Sequence, residues 1–148
     1  MKLDDALHGV SRLAFDTAPI IYFVEANPAY DKVVSNIFNR VAVGELEGWT
    51  SVISLSEVLV QPFFSGRNDL QNAYRELLLK SSNFHTLPIS ATVAENAARM
   101  RAAYGLRLPD AIQVAFALDT GCQAMVCNDR SMRRVTELQV LILDDLEP

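Results

Sequence analysis

Short apolar runs alternate with amphipathic segments along the whole chain. The apolar runs predict five strands, at residues 13–15, 49–53, 84–87, 124–127 and 140–143. The amphipathic segments predict helices at residues 19–24, 28–41, 54–62, 69–80, 91–104 and 109–120, with a short helical turn at 128–135. Strands that alternate with helices form parallel sheets covered on both faces. We therefore predict an α/β fold, a three-layer sandwich with a central parallel β-sheet flanked by helices.

The length and composition favour one domain. With 148 residues, half of them hydrophobic, the chain can bury a core without disulfides, so we expect a single domain over residues 1–148. The two cysteines, Cys122 and Cys127, offer no disulfide framework and lack the partner ligands of a structural zinc site. The segment MKLDDALHGV carries two acids, and no apolar stretch is long enough to span a bilayer. We expect a cytoplasmic protein with no membrane partner.

The net charge limits how the chain meets nucleic acid. A formal charge of -5 argues against a protein that coats nucleic acid with its whole surface. A site built from several carboxylates contributes much of that negative sum, and a bound divalent cation offsets part of it locally. The total charge therefore argues against a broad basic surface but does not by itself decide whether the chain binds nucleic acid.

Three acids follow the predicted strands. Asp16 directly follows the first strand, Asp129 follows the fourth, and Glu57 lies just beyond the second, in the expected first turn of the next helix. In open α/β sheets, ligand sites form at the carboxyl ends of the strands, so these acids are expected at a common edge. Asp110 joins them from the start of an apolar helix that must pack inward.

Each acid also has a purely structural interpretation. Ser54 and Glu57 form a capping-box pattern, and Asp110 is a first-turn acid. For Glu57, Asp110 and Asp129 taken singly, helix capping is the commoner explanation. For Asp16 the functional one is favoured, because an unpaired charge at the end of an apolar strand is costly.

Taken together, the four acids predict a bound cation. Carboxylates held close together repel, whereas Mg²⁺ or Mn²⁺ bound through their oxygens keeps them ionised. Such a cation activates water and stabilises charge on a phosphoryl oxygen, which is the chemistry that phosphodiester hydrolysis needs.

Four motifs in order, FDTAPIIY, SLSEV, LRLPDAIQVAFAL and CNDRSM, resemble the PIN-domain family and, more specifically, toxins of the VapC type. The similarity covers nearly the whole chain, and AARMRAAYGLRLPDAIQVAFAL is its most specific part. The resemblance implies Mg²⁺- or Mn²⁺-dependent RNA cleavage, with the catalytic acids at Asp16, Glu57, Asp110 and Asp129. It also implies a homodimer and a small antitoxin protein that obstructs the site.

Our mechanistic hypothesis divides the roles of these acids. Asp16 and Asp110 hold the principal metal, Asp129 supports it or a second one, and Glu57 orients or deprotonates the attacking water.

Two positions depart from the family pattern. Cys127 stands where a small hydroxyl residue is frequent, and Thr17 is a candidate to replace that hydroxyl. Ala18 stands where Asn or Ser is common. Neither change removes a carboxylate.

Several other residues are candidates for contacts. Arg107, Arg130 and Arg133 are possible RNA phosphate contacts, or alternatively a solvated face paired with Glu137 and its neighbours. The aromatics are expected in the core, or as anchors for the antitoxin: Phe63, Phe64, Tyr30 and Phe38. Asp144 and Asp145 are reserve acids should Asp129 serve only as a cap.

Other functions fit the residues less well. A Mg²⁺-dependent phosphoacceptor signalling domain needs a lysine at a late strand end, and the only lysines are Lys2, Lys32 and Lys80. A phosphatase of the haloacid dehalogenase type needs a second aspartate at the position of Ala18. A non-catalytic PIN-like domain that binds RNA or protein, and DNA as the substrate, stay open.

Overall fold

The computed structural model describes residues 1–148, and its centre is a five-stranded parallel sheet. The strands are β1 (Arg12–Phe15), β2 (Glu47–Ser51), β3 (Phe84–Leu87), β4 (Ala124–Cys127) and β5 (Gln139–Ile142). Their order across the sheet is β3-β2-β1-β4-β5, and each neighbouring pair is parallel. The first strand along the chain therefore lies in the middle of the sheet.

Seven helices cover the two faces of this sheet. They are α1 (Leu3–Ala6), α2 (Thr17–Val24), α3 (Asp31–Ala42), α4 (Val52–Phe64), α5 (Asn68–Lys80), α6 (Ala91–Tyr104) and α7 (Leu108–Asp119), and 3₁₀ turns span Arg130–Arg134 and Leu143–Asp145. Alternate residues of β1 point to opposite faces: Leu13 and Phe15 pack into a core with α1 to α5, while Ala14 packs into a second core with α6 and α7. The predicted three-layer α/β sandwich is confirmed.

The junction between β2 and α4 differs from the prediction. The strand ends at Ser51, whose side-chain oxygen accepts a hydrogen bond from the backbone N–H of Ile53 at 3.2 Å and caps α4. The expected cap at Ser54 is wrong, because Ser54 already lies inside the helix. Glu57 is consequently in the second turn, so the capping-box interpretation of this acid is wrong as well.

Other helix boundaries also differ from the prediction. Pro62 does not stop α4, which continues to Phe64, because a proline in the last turn removes only one hydrogen bond. The helix after β1 begins at Thr17 rather than at Pro19, and α1 was not predicted. None of the helices is long and apolar enough to cross a membrane.

The strand order defines where a site can form. From β1 the chain moves outward through β2 to β3, and later returns to the opposite side of β1 for β4 and β5. The connections therefore diverge between β1 and β4, and at such a switch point the loops leave a crevice outside the carboxyl ends of the strands.

Candidate active site

A cleft of about 280 Å³ occupies this edge of the sheet. Its walls are Asp16, Thr17, Ala18, Ile21, Tyr22, Glu57, Arg107, Asp110, Asn128 and Asp129. The structure thus brings all four predicted acids into one cleft, although they come from four different parts of the chain. Asp16 and Asp129 follow the two strands that flank the switch point, while Glu57 and Asp110 reach the cleft from helices α4 and α7.

Asp16 is the acid most strongly affected by its surroundings. Its backbone N–H continues the sheet by bonding to the Val126 carbonyl at 3.0 Å, and its side chain caps α2 by accepting the Thr17 N–H at 2.9 Å. Burial raises the pKa of Asp16 to about 6 against the hydrogen bond from Thr17, and the other three acids of the cleft add to the rise. The cleft therefore disfavours the ionised form of this carboxyl when no cation is bound.

Thr17 connects α2 to the acid on α4. Its hydroxyl donates to Glu57 Oε1 at 2.8 Å and also lies 3.2 Å from Ser54 Oγ. This bond holds the otherwise exposed Glu57 carboxylate against the wall of the cleft. Thr17 thus lines the cleft with the acids, and its hydroxyl is engaged by Glu57.

Asp110 is the most enclosed of the carboxyl groups, with 10% of its side chain exposed. It occupies the first turn of α7, and Arg107 Nε donates to its Oδ2 at 3.1 Å. The Arg107 side chain is 78% exposed, so most of its guanidinium faces solvent at the mouth of the cleft. Arg107 can therefore bind an incoming anion while it remains paired with Asp110.

Asp129 begins the 3₁₀ turn after β4. Its side chain accepts the Ser131 N–H at 2.9 Å, and hydrogen bonding to Ser131 lowers the pKa of Asp129. The predicted capping role is thus present, yet Asp129 also lines the cleft. The two interpretations weighed from the sequence are compatible at this residue.

The donors in the cleft fit a hard divalent cation. Carboxylate oxygens are preferred ligands of Mg²⁺ and Mn²⁺. Burial, with a smaller contribution from the neighbouring acids, raises the pKa of Asp16, and a bound cation would favour its ionised form. No three acidic, histidine or cysteine side chains are already grouped as a complete ligand set. Mg²⁺ usually binds through one or two carboxylates and keeps several waters, so it does not require such a set.

A buried polar network lies beneath the acids, and sequence reasoning missed it. Gln113 of α7 is 2% exposed and bonds through its amide to Ser51 and Ser54, which are fully buried. Thr50 and Thr17 extend the network towards β1 and α2. The available signal was a glutamine inside the apolar helix sequence LPDAIQVAFAL, because a buried amide needs polar partners.

The basic border predicted after Asp129 is largely neutralised. Arg130 lies 3.5 Å from Asp145 and 3.9 Å from Asp144, and Arg133 also pairs with Asp145. Glu137, the partner named in one of the two alternatives for these arginines, instead accepts a hydrogen bond from Tyr104. The reserve acids are thus engaged by arginines and do not line the cleft.

The remaining sequence candidates do not line the cleft. Cys127 is completely buried in the core against α6 and α7, and burial raises the pKa of its thiol to about 12. Phe63 and Phe64 are not core residues: they end α4 with 56% and 89% of their surfaces exposed. Phe38 is buried as expected, and Tyr30 stacks on Tyr22 with a centroid distance of 4.4 Å.

Known proteins resemble this chain in sequence pattern and in fold. The family model of the PIN domain matches residues 13–138. No curated protein matches the chain.

Three solved structures illustrate the similarity. VapBC2 from Rickettsia felis, bound to a DNA fragment from its promoter, has a TM-score of 0.71 at 15% identity and covers 88% of this chain and 98% of its own. FitAcB from Neisseria gonorrhoeae has a TM-score of 0.68 at 18% identity, covering 90% and 99%. VapC20 from Mycobacterium tuberculosis, described as a sarcin-ricin loop cleaving toxin, has a TM-score of 0.67 at 16% identity, covering 86% and 98%. At these identities the likeness concerns the fold.

Proposed function

The chain belongs to the PIN domain family, and from this we propose that it is a metal-dependent endoribonuclease and the toxin of a toxin–antitoxin pair. The observation that carries the proposal is the meeting of Asp16, Glu57, Asp110 and Asp129 in one cleft at the switch point of the sheet. Helix capping alone would not require these four acids to lie in one cleft, and Glu57 caps no helix.

The acids take different parts in this mechanism. Asp16, Asp110 and Asp129 would hold Mg²⁺, with Mn²⁺ as a substitute. When bound, the cation lowers the pKa of water and stabilises charge on the scissile phosphate. Glu57, held by the Thr17 hydroxyl, orients the attacking water and accepts its proton.

Basic residues near the cleft guide the substrate in this proposal. The exposed guanidinium of Arg107 binds an RNA phosphate, which compensates the repulsion between the acidic cleft and the RNA backbone. Arg130 and Arg133 are secondary candidates, because Asp144 and Asp145 already neutralise them.

The proposed protein partners are a cognate antitoxin and a second copy of the chain. The end of α4 exposes Val60, Phe63 and Phe64, which are 58%, 56% and 89% exposed. Large aromatic side chains on a surface are common anchors of protein interfaces, so we assign this end of α4 to a protein partner.

The first experiment is incubation of purified protein, freed of antitoxin, with structured RNA, single-stranded RNA and matched DNA in Mg²⁺, Mn²⁺ or EDTA. Cleavage of RNA in either metal and its absence in EDTA are the expected results. Binding without cleavage of any RNA would instead support a non-catalytic PIN-like domain. Equal cleavage of the matched DNA would contradict the assignment to RNA.

A further inference from the structure

The buried amide of Gln113 is connected to the cleft by an unbroken series of hydrogen bonds. Gln113 Nε2 donates to Ser54 Oγ at 2.7 Å, and Ser54 Oγ lies 3.2 Å from Thr17 Oγ1, whose proton goes to Glu57. At the other end, Ser51 Oγ donates to Gln113 Oε1 at 2.8 Å. The series therefore runs from the buried end of β2 to an acid at the surface of the cleft.

The number of hydroxyl protons limits the direction of these bonds. Each hydroxyl has one proton to donate. Thr50 gives its proton to the Phe15 carbonyl at 2.8 Å, and Thr17 gives its proton to Glu57. Ser54 is then the only donor left for its two hydroxyl contacts, and its single proton serves Thr50 at 2.8 Å or Thr17 at 3.2 Å.

In the structure the Gln113 amide has its NH₂ group towards Ser54 and its carbonyl towards Ser51, and the proton count favours this orientation. If its carbonyl faced Ser54, the single Ser54 proton would be drawn to Gln113, and neither Thr50 nor Thr17 would receive a donor from Ser54. With the NH₂ group facing Ser54, every buried side-chain nitrogen and oxygen has a partner. The amide is thus the source of a one-way series that ends on the Glu57 carboxylate.

We propose that Gln113 is a positioning residue for Glu57, acting through Ser54 and Thr17; this inference rests on the proposed nuclease function. Glu57 is exposed on α4 and has several rotamers, so its direction depends on the Thr17 hydroxyl. Because Ser54 accepts from Gln113, its own proton stays available to Thr17, and the Thr17 proton is left for Glu57. Gln113 lies one turn after Asp110 on α7, so the same helix supplies both an acid and this support.

The test compares two buried glutamines. Gln113→Leu removes the start of the series, while Gln71→Leu is a matched control, since the Gln71 amide donates to the Pro62 carbonyl away from the cleft. We expect Gln113→Leu to lower kcat about tenfold with KM for RNA changed less than about twofold, and Gln71→Leu to leave both unchanged. Ser54→Ala should reproduce the loss and replaces Gln113→Leu if that variant does not fold.

A double-mutant cycle separates positioning from a general structural effect. In a Glu57→Gln background, Gln113→Leu should cause no further loss of kcat, because both changes act on the same group. Full kcat in Gln113→Leu, or a tenfold loss that persists in the Glu57→Gln background, would overturn the proposal.

A crystal structure of Gln113→Leu provides a readout that does not depend on cleavage. We expect the 2.8 Å contact between Thr17 Oγ1 and Glu57 Oε1 to be lost. If the wild-type protein cuts no RNA, the proposed function fails, and this structure still decides the inference: a retained contact overturns it.

Discussion

At the residue scale, Asp16 shows how one side chain can have structural and chemical roles together. It caps α2, yet its carboxyl is partly buried beside three other acids, which raises its pKa to about 6. An asparagine keeps the capping oxygen and removes the charge. This difference allows the two roles to be measured separately.

We expect Asp16→Asn to stabilise the protein in EDTA at pH 7.5. Burial and the neighbouring acids raise the carboxyl pKa to about 6 from its ordinary value of 3.8, which corresponds to roughly 3 kcal/mol of unfavourable free energy when the group is ionised. The melting temperature of Asp16→Asn should therefore exceed that of the wild type by several degrees. Mn²⁺ should raise the melting temperature of the wild type and have little effect on the variant. Equal Mn²⁺ shifts in both proteins would contradict metal binding at Asp16.

The pH dependence of this effect has a definite sign. A carboxyl whose pKa is higher in the folded state binds its proton more readily there, so the penalty is full above pH 6 and disappears towards pH 4. In EDTA the wild type should gain stability relative to Asp16→Asn as the pH falls through this range. A constant difference between the two melting curves from pH 7.5 to 4 would show that the penalty does not come from ionisation.

Arg107 is the residue on which we expect RNA affinity to depend most directly. Arg107→Ala should weaken binding to all RNAs similarly and reduce the slope of log affinity against log salt by about one, because one phosphate contact is lost. Filter binding in EDTA across a salt series measures this. Arg99→Ala is the control, since Arg99 is exposed on α6 and pairs with Glu95 outside the cleft. An unchanged slope would remove Arg107 from the interface.

At the element scale, the alternation of strands and helices was predictable from the sequence, but one junction was not. The Ser54–Glu57 spacing imitates a capping box, and the true cap, Ser51, lies three residues earlier at the end of β2. Capping patterns are short, so tertiary packing decides between neighbouring serines. Asp16, Glu57 and Asp129 could be predicted because they come after strands, and Asp110 because it begins an apolar helix. The Gln113 network could not, because it depends on how α7 crosses β2 and α4.

Gly48 provides a test of the packing between β2 and β3. A Cβ at this position would lie 2.5 and 2.8 Å from two ring carbons of Phe84 and 3.1 Å from Phe15. Gly48→Ala should lower the free energy of unfolding by about 1–3 kcal/mol through overpacking. Adding Phe84→Leu should recover part of that loss in urea denaturation. Strictly additive losses in the double variant would argue against this contact as the cause.

At the scale of the whole molecule, backbone hydrogen bonds connect the first residues of the chain to the last ones. Leu3 N donates to the Glu147 carbonyl at 2.9 Å, and Glu147 N donates to the Met1 carbonyl at 2.8 Å. Residues from the whole length of the chain contribute to the two cores on either side of one sheet. We infer that residues 1–148 form one cooperative domain.

The exposed end of α4 should govern association rather than folding. Because Phe64 is 89% exposed, Phe64→Glu should leave the melting temperature nearly unchanged while weakening self-association or antitoxin binding at least tenfold. Light scattering after size exclusion, with and without the antitoxin, measures self-association and antitoxin binding, and thermal denaturation measures the melting temperature. Val43→Glu, at a position 71% exposed on the end of α3, is the control. Unaltered association in Phe64→Glu would place the protein interface elsewhere.

The most direct test of the central claim is the single-turnover rate of RNA cleavage in Mn²⁺ by the wild type and four variants, Asp16→Asn, Glu57→Gln, Asp110→Asn and Asp129→Asn. Asp69→Asn, in the exposed first turn of α5, is the control. If the cleft is one hydrolytic centre, each of the four variants loses at least about 100-fold in rate while RNA binding and folding persist, and the control keeps full activity. Cleavage at the wild-type rate by Asp16→Asn or Asp110→Asn would contradict the account.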